Sequence, residues 1–183
     1  MKEPVTTDPK GEVRQMSNNT SALVRQKTSM EMASYITGFV DGEGSFLVSF
    51  SRRPALVTGI EVRPSFSVSQ HERSREVLLK VQKHFGCGTI RYDGHDQTYK
   101  YEVRSLKDLL EHVIPHFETY PLQTAKALDF DRFVYICSLM RTGGHRSRNG
   151  LEEILHIAYA MNHYGARRYQ LSDLLQIVDK MKV

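Results

Sequence analysis

The sequence predicts an α+β fold in which two pairs of strands alternate with helices, in the order αββαββα, with further helices at the C-terminal end. Two patterns carry this prediction: apolar residues recur at helical spacing in some segments and alternate with polar residues, with period two, in four others. Glycine or proline stands at most of the junctions between these segments. Because each strand pair follows a helix, we expect one antiparallel sheet with helices on one face.

Size and composition favour a globular protein without a membrane partner. The chain has 183 residues, of which 40% are hydrophobic and 25% are charged, enough to build one core. No run approaches the roughly 20 apolar residues of a membrane helix. Two cysteines, Cys87 and Cys137, cannot form a disulfide framework. A reducing intracellular compartment, either a bacterial cytoplasm or an organelle interior, is therefore the expected location.

A flexible leader is predicted to precede the folded domain. Residues 1–28 are rich in Thr, Ser, Asn and Lys and show no sustained period. The single folded domain is therefore expected to span residues 29–183.

The first helix has clear signals at both ends. Thr28 and Glu31 form a capping-box pattern that predicts its start, and Gly42 and Gly44 mark its end. Residues four apart lie on one stripe of a helix, where small side chains allow a second helix to approach closely. The small residues on this stripe are Ser34, Gly38 and Gly42.

Two strands follow, each with one apolar and one polar face. The apolar faces are predicted to be buried, with Phe46, Val48 and Phe50 in the first strand and Ile60, Val62, Pro64, Phe66 and Val68 in the second. The outward positions are Ser45, Leu47, Ser49 and Ser51 in the first strand and Glu61, Arg63, Ser65, Ser67 and Ser69 in the second. Pro64 predicts an edge position or a bulge, because proline cannot donate a ladder hydrogen bond.

A second helix and a hairpin come next. Ser74 is the predicted cap of this helix, and Gly86 is its predicted end. The hairpin turns at residues 94–96. Its predicted buried positions are Tyr99, Tyr101 and Val103. Its outward positions are Thr89, Arg91, Asp93, Thr98, Lys100, Glu102 and Arg104.

The remaining chain predicts four helices. The third helix begins at Ser105 and is disrupted near its end by Pro115. The others cover approximately residues 123–140, 151–161 and 172–181. The fourth and fifth are separated by a basic loop, RTGGHRSRNG.

Two histidines in the third helix, His112 and His116, are four residues apart. Such a pair can in principle share a metal ion, but Pro115 lies between them and no HExxH pattern is present. Both are predicted to be surface residues.

Positive charge is concentrated in two parts of the chain. The net charge is +4; residues 49–104 hold ten basic and six acidic side chains, and residues 141–150 hold three basic and no acidic ones. The outward side chains of the strands form a polar field, which is either the solvated side of the sheet or a nucleic-acid reading surface. In the basic loop, Arg141, Arg146 and Arg148 either bind phosphates or are simply solvated.

Four segments resemble parts of the LAGLIDADG homing endonuclease family and occur in the family's order. SYITGFVDGEGSF resembles the signature helix, and FSVSQ, YPLQTAK and GHRSRNGLEEILHIAYAMN resemble later segments, so the likeness covers about residues 34–162. The resemblance implies an αββαββα fold whose saddle-shaped antiparallel sheet sits on double-stranded DNA. Only one signature helix is found, which implies a homodimer in which Ser34, Gly38 and Gly42 lie at a twofold interface.

Glu43, at the end of the signature helix, occupies the family's metal-binding acidic position. Mg²⁺ prefers hard oxygen ligands and keeps several waters. Glu43 and the carbonyl group of Gly42 are therefore the predicted protein ligands for Mg²⁺ or another divalent cation. Without the resemblance, Glu43 would be interpreted as an exposed acid at a helix end. Asp41 is predicted to act structurally, through hydrogen bonds at the end of the helix.

Three other residues are candidates for catalysis by the same resemblance. Gln70, which ends FSVSQ, matches a family position that helps to place water near the scissile phosphate. Lys126, in YPLQTAK, and Arg73 are candidates for stabilising transition-state charge or organising water. A one-residue difference near Pro121 leaves the choice between the two basic residues open.

These features imply a homodimeric, Mg²⁺-dependent endonuclease that cleaves a long, nearly palindromic site in double-stranded DNA and is encoded in a group I intron. Two alternatives use the same fold. One is an RNA-binding maturase that assists splicing of intron RNA, and the other is a DNA-binding regulator without catalysis. The presence of both Glu43 and Gln70 disfavours the regulator.

Overall fold

The computed structural model describes residues 27–162 and 167–181 and confirms the predicted order of helices and strands. Helix α1 occupies residues 27–43 of the described chain. The next elements are β1 (Gly44–Arg52), β2 (Ile60–His71), α2 (Arg75–Phe85), β3 (Thr89–Asp93) and β4 (Thr98–Val103). They are followed by α3 (residues 106–119), α4 (Lys126–Arg141), α5 (Arg148–Tyr159) and α6 (Leu171–Asp179).

The start of α1 differs from the prediction. Most of the predicted leader, residues 1–26, lies outside the described residues. Lys27 and Thr28 are already helical, so the helix begins before the predicted cap at Thr28. Among the described residues, no helix combines the length and the hydropathy needed to cross a membrane.

The four strands form one antiparallel sheet in the order β1-β2-β4-β3. β1 and β2 pair along the whole of β1, from Gly44 opposite Val68 to Arg52 opposite Ile60. β4 pairs with the second half of β2, and β3 lies outside β4. The predicted antiparallel sheet is therefore confirmed.

Pro64 lies in the part of β2 that β4 does not reach. It stands opposite Val48, and the pairing with β4 begins only at Phe66. The carbonyl group of Val48 points away from β2, because it accepts a hydrogen bond from Arg167 on the outer side of β1. Val48 and Pro64 therefore form a pair without direct hydrogen bonds, and the nitrogen of Pro64 faces the open side of β2. β2 is thus an inner strand, but Pro64 lies in its one-sided part, which provides the local edge that the prediction of an edge position or a bulge required.

The hydrophobic core lies between one face of the sheet and the helices that cover it. Phe46 is at its centre, with its ring centroid 5.1 to 5.4 Å from those of Phe66, Phe117, Phe130 and Phe133. These rings come from β1, β2, α3 and α4, so one aromatic cluster joins four elements. The buried face of α1 adds Ala33, Ile36 and Val40.

The prediction that Pro115 disrupts the end of the third helix was wrong. Residues Leu109–Val113 form a π-helical turn, and the α-helix then continues through Ile114–Thr119. Pro115 is the second residue of that last segment and cannot donate a backbone hydrogen bond to the turn before it. The π-turn changes the hydrogen-bonding pattern just before the proline, so α3 runs on past it.

The prediction that His116 is a surface residue was also wrong. His116 is buried, with 7% of its surface exposed. Its Nε2 atom lies 3.1 Å from the hydroxyl oxygen of Thr37 in α1, and its Nδ1 atom lies 3.0 Å from Nε2 of His84 in α2. Because α3 continues beyond Pro115, this histidine turns inward. His112, by contrast, is exposed as predicted.

One hydrogen bond, from Thr37, determines which ring nitrogens of His116 and His84 carry protons. The hydroxyl group of Thr37 donates to the carbonyl oxygen of Tyr120, so it accepts from Nε2–H of His116. Nδ1 of His116 is then the acceptor for Nε2–H of His84. Burial, and to a lesser extent the neighbouring His84, lower the pKa of His116 to about 4. The pair is therefore neutral at pH 7.

The last helices begin close to the predicted positions. α4 begins at Lys126 rather than at residue 123. α5 begins at Arg148 because the hydroxyl group of Ser147 caps it, accepting a hydrogen bond from the amide of Gly150 at 3.2 Å. The predicted basic loop is therefore shorter than expected, and Arg148 belongs to a helix.

Two side chains from the C-terminal region contact the outer side of β1. The amide nitrogen of Asn162 donates to the carbonyl oxygen of Phe46 at 2.8 Å. Nη1 of Arg167 donates to the carbonyl oxygen of Val48 at 3.3 Å. The same guanidinium group also binds two backbone carbonyl groups at the end of α5 and lies 4.6 Å from the ring centroid of Tyr159. These contacts attach the C-terminal helices to the sheet.

Candidate DNA-binding and catalytic site

The end of α1 is held by the segment that precedes α4. The carboxylate of Asp41 accepts hydrogen bonds from the amide of Gln123 at 2.8 Å, from the amide of Thr124 at 3.1 Å and from the hydroxyl group of Thr124 at 2.6 Å. Burial alone would raise the pKa of Asp41, but these hydrogen bonds and the charge of Lys126 outweigh it and lower the pKa. Asp41 therefore has a structural role, as predicted, and acts on a segment distant in sequence.

Lys126, the first residue of α4, points at the junction between α1 and β1. Its ammonium group donates to the carbonyl oxygen of Val40 at 2.8 Å and to that of Gly44 at 2.5 Å. Burial lowers the pKa of Lys126, while the charges of Asp41 and Glu43 oppose that shift. An ammonium group has three donors, so one N–H remains after the two backbone bonds.

Glu43 and Gly42 are both exposed at the end of α1. Among the described residues, the carboxylate of Glu43 has no hydrogen bond or ion pair. The only close cation identified is Lys126, whose charge acts on Glu43 without a direct bond. The two carbonyl groups that Lys126 binds, those of Val40 and Gly44, lie on either side of Gly42 in sequence. The predicted metal ligands are therefore accessible, and a cation is held beside them.

The strand register places Gln70 at the same end of the sheet. Gly44 stands opposite Val68, so β2 extends past the start of β1 by the length of Ser69, Gln70 and His71. Gln70 is half-buried, pairs with Tyr99 of β4, and alternates with Val68 onto the helix-covered side of the sheet. Gln70 and the end of α1 thus lie at one corner of the molecule.

Arg73 follows in a single 3₁₀ turn, Glu72–Ser74. Its backbone amide donates to Nδ1 of His71 at 3.3 Å, and its side chain is exposed. Arg73 lies three residues after Gln70, and the turn leaves its guanidinium group facing solvent. Lys126 is bound directly at the end of α1, so the structure favours Lys126 over Arg73 as the basic residue closest to Glu43.

The outward face of the sheet carries the side chains predicted to contact DNA, and the alternation and pairing of the strands place all of them on that one face. The exposed or half-exposed members are Ser45, Leu47, Ser49, Ser51, Glu61, Arg63, Ser69, Thr89, Arg91, Asp93, Thr98 and Lys100. The buried members are Ser65, Ser67 and Glu102. The sheet therefore presents a continuous polar surface that carries charges of both signs.

Glu102 lies beneath three cations on this surface. Its Oε2 atom accepts from Nη2 of Arg91 at 2.5 Å and lies 2.8 Å from Nε of Arg104, and its Oε1 atom lies 3.5 Å from Nζ of Lys100. Only 5% of Glu102 is exposed. Arg104, the last outward position predicted for the hairpin, follows the end of β4 and is exposed, so the period-two series of Lys100 and Glu102 identifies it correctly.

At the other end of the sheet, polar side chains on β1 and β2 pair with one another. Nε of Arg53 donates to Oε2 of Glu61 at 3.0 Å, and the guanidinium group of Arg63 donates to the hydroxyl group of Ser51. Arg53 lies in the turn between β1 and β2, outside the period-two pattern, so sequence alternation gives no signal for it.

The basic loop residues are not equivalent. Arg148, in the first turn of α5, forms an ion pair with Asp179 of α6 at 2.5 Å. Arg141 and Arg146 are exposed and make no ion pair with any residue in the described ranges. Of the three predicted phosphate contacts, these two are therefore the more available to an anion.

The stripe of small residues on α1 faces away from its own core. Ser34, Gly38 and Gly42 are all exposed. A side chain added at Gly38 or Gly42 would meet no atom within 4 Å, and Tyr35 beside the stripe is 53% exposed. The surface that a second helix would need is thus uncovered in this protomer.

Comparisons with known proteins agree with this architecture. The family model described as LAGLIDADG endonuclease matches residues 36–137. The crystal structure of a homing endonuclease, I-TnaI, is 37% identical with a TM-score of 0.71, over 82% of this chain and 97% of that one. The archaeal intron-encoded homing endonuclease I-Vdi141I, whose structure is a complex with DNA, is 32% identical with a TM-score of 0.75, over 81% and 95% of the two chains.

A curated relative from Neurospora crassa, named "Probable intron-encoded endonuclease 2", is 37% identical over 130 residues, which are 70% of this chain and 29% of the relative. The chain spans between 24% and 29% of the lengths of this relative and two other fungal proteins that it matches. The family match covers more than half of the chain and includes the second half of α1, the four strands and the segment that carries Lys126. The chain belongs to the LAGLIDADG endonuclease family.

Proposed function

We propose that this protein is a homing endonuclease that hydrolyses both strands of a long double-stranded DNA target with the help of a divalent cation. One observation carries the proposal. The carboxylate of Glu43, exposed and without a polar partner in residues 27–162 and 167–181, lies at the end of α1, where Lys126 binds the backbone on either side of Gly42. A free acid beside a fixed cation, at the corner of a polar sheet face, suits cleavage of a phosphodiester.

The donor set fits a hard divalent cation such as Mg²⁺. Glu43 and the carbonyl oxygen of Gly42 are the protein groups that would hold it, and both are accessible. In the described part of the chain, no three His, Cys, Asp or Glu side chains lie close enough together to enclose a metal ion. The remaining ligands would come from water and DNA phosphate, as is usual for Mg²⁺. When bound, the cation would neutralise phosphate charge and make bound water more acidic.

The other residues of the site have distinct roles in this proposal. The third N–H of Lys126 stabilises negative charge on the phosphate during the reaction. The side-chain amide of Gln70 both donates and accepts hydrogen bonds, so it orients a water molecule near the scissile bond. Arg73, exposed three residues later, contacts phosphate oxygens outside the reacting group.

Two such sites are required to cut two strands. We propose that the exposed stripe of Ser34, Gly38 and Gly42 pairs with the same stripe of a second copy, which brings two Glu43 residues together. A twofold protein expects a target with pseudo-twofold symmetry. Each sheet would read one half-site, while most hydrogen bonds would go to phosphate and sugar.

The genetic setting follows from the relatives. The Neurospora protein and I-Vdi141I are both named as intron-encoded, and an intron origin is proposed for this chain. Cys87 and Cys137 are both free, which agrees with a reducing compartment inside a cell or organelle.

Cleavage of a randomised duplex library in the presence of Mg²⁺ tests the function directly. The wild-type protein should release a defined subset of sequences cut on both strands. Glu43→Gln should bind the selected sequences with unchanged affinity but fail to cut them, because the amide is a poor ligand for the cation. Glu118→Gln, which changes an exposed acid on α3, is the matched control and should cut normally.

Three results would contradict the proposal. Normal cleavage by Glu43→Gln would remove the metal role of that residue. Sequence-specific binding without any cleavage by the wild type would favour a DNA-binding regulator. Stimulation of intron RNA splicing without DNA cleavage would favour a maturase.

A further inference from the structure

We propose that Glu102 is a positioning residue: it holds the guanidinium groups of Arg91 and Arg104 in fixed orientations on the outward sheet face, where they recognise guanine in each half-site. This inference rests on the proposed DNA-cleaving function. It goes further by naming the base, guanine, that this part of the sheet recognises. The alternation of the strands shows which side chains face outward. It does not show that Glu102 is covered while Arg91 and Arg104 stay accessible.

The carboxylate of Glu102 is not available to a base. Oε2 lies 2.5 Å from Nη2 of Arg91 and 2.8 Å from Nε of Arg104, and Oε1 lies 3.5 Å from Nζ of Lys100. Nη2 of Arg104 also donates to Oε1, at 3.2 Å. Only 4% of the Glu102 side chain is exposed. The basic side chains therefore cover the carboxylate from the solvent side and occupy its oxygen atoms.

The cations above Glu102 keep their outer donors free. The Arg91 side chain is 57% exposed and that of Arg104 is 62% exposed. Arginine has five N–H donors. Arg91 donates one of them to Glu102, which leaves four, and Arg104 donates two, which leaves three. A guanine edge in the major groove needs two donors from one arginine, so each residue can still form that pair.

The sheet itself fixes the geometry of this cluster. Glu102 stands opposite Ser67 of β2 and Thr89 of β3, and Arg91 stands opposite Lys100. Ser67 and Thr89, its neighbours across the strands, are small, and the side chains that contact the carboxylate are the three basic ones. Two hydrogen bonds to Glu102 fix the plane of the Arg104 guanidinium group, and one bond directs that of Arg91. Each arginine therefore has less rotamer freedom left to lose on binding DNA.

The same surface offers a control. Glu61 is also an outward acid paired with an arginine, at 3.0 Å from Nε of Arg53, but it has one cationic partner and its side chain is 34% exposed. If any acid on this face affected recognition through net charge alone, Glu61→Gln and Glu102→Gln would behave alike.

The experiment selects bound sequences from a randomised duplex library without divalent cation, so that nothing is cut, and compares the base preference at every position. The variants are Arg91→Ala, Arg104→Ala, Glu102→Gln and Glu61→Gln. Arg91→Ala and Arg104→Ala should each abolish a guanine preference at a defined position of both half-sites. Glu102→Gln should reduce the preference at those same positions about tenfold, while its affinity for random duplex stays equal or rises because a negative charge is lost.

Melting temperature and a second variant separate positioning from a general structural role. Glu102→Gln should melt close to the wild type, because Arg91 and Arg104 are more than half exposed and water can hydrate them when the negative charge is removed. A general structural role would instead lower the melting temperature and weaken preferences at all positions. If the glutamine variant does not fold, Glu102→Asp keeps the charge but shortens the side chain, and it should reduce the same preferences to a smaller degree.

The outcomes are distinguishable. A wild-type protein that selects no sequence would overturn the proposed function and this inference with it. A normal wild-type profile that Glu102→Gln leaves unchanged would overturn this inference alone. So would a change confined to positions that Arg91→Ala and Arg104→Ala do not affect, because Glu102 would then contact a base itself.

Discussion

Asp41 at the end of α1 accepts hydrogen bonds from both the amide and the hydroxyl group of Thr124, a residue 83 positions later in the chain. This contact fixes the segment that leads into α4 against the signature helix. Lys126, two residues beyond Thr124, is thereby brought to the carbonyl groups around Gly42. The position of Lys126 beside Glu43 therefore depends on this long-range contact more than on the local sequence of α1.

The Asp41 contact should therefore contribute to stability. Asp41→Ala removes a charged acceptor from two amides and a hydroxyl group and should lower the free energy of unfolding by about 1–3 kcal/mol, measured by urea denaturation at pH 7. Because the pKa of Asp41 is lowered in the folded state, its contribution is present above the unfolded value near 3.8 and is lost as the pH falls through the folded value. Asp131→Ala, an exposed acid on α4, is the control, and an equal loss in both variants would contradict this role.

Lys126 should matter more for cleavage than for DNA binding. Lys126→Met keeps the length of the side chain but removes the donors, and single-turnover cleavage should fall about a hundredfold or more. Binding to the selected target should change little. Lys80→Met, at an exposed position of α2, should cleave at the wild-type rate. A Lys126→Met variant that cuts normally would transfer the catalytic role to another basic residue, with Arg73 the first to test.

Acid should destabilise the fold through His116. Its pKa is lowered to about 4 in the folded state, below the ordinary value of 6.5, so the unfolded chain binds the additional proton first. Stability should fall as the pH drops from about 6.5 to about 4, by at most about 1.4 kcal/mol per pH unit. His84, whose pKa burial also lowers, should add to the same trend.

Histidine variants separate the buried group from the exposed one. Urea denaturation at pH 7 and pH 5 should show a smaller pH difference for His116→Gln than for the wild type, although His116→Gln is less stable at pH 7. His112→Gln changes an exposed histidine one helical turn earlier and should keep the wild-type pH difference. The same pH difference in all three proteins would rule out His116 as its source.

The small stripe on α1 should be required for dimerisation but not for folding. A side chain added at Gly38 meets no atom of its own chain within 4 Å, so Gly38→Leu should fold. Its melting temperature should be no lower than that of the wild type at concentrations where the wild type is a monomer. In sedimentation experiments the variant should remain a monomer at concentrations where the wild type forms dimers. Lys80→Leu adds a similar exposed side chain on α2 and should dimerise normally. Dimers of undiminished strength in Gly38→Leu would place the interface elsewhere.

Local patterns predict the elements and the positions of Glu43 and Gln70 because those features depend on neighbours in sequence. The change from helical to period-two spacing near Gly44 locates the end of α1, and alternation places Gln70 at the end of β2. The start of α4 is not visible in that alternation, because Gln123 and Thr124 bind the distant Asp41 and the helix begins only at Lys126.

Features that depend on long-range contacts are not visible in the sequence. The inward turn of His116 requires that α3 continue beyond Pro115, and a π-helical turn makes this possible. The burial of Glu102 requires the register between β3 and β4 and the convergence of three basic side chains. Period-two alternation gives the face on which Glu102 lies but not the partners that cover it.

The bonds from Asn162 to Phe46 and from Arg167 to Val48 occupy outward carbonyl groups of β1, the first strand in the sheet order. An uncovered strand of this kind would be a template for adding a strand from another chain, which leads to domain swapping or fibrous aggregation. With these acceptors already used, strand addition along β1 is blocked. This edge of the sheet is therefore protected by side chains of the C-terminal region rather than by another strand.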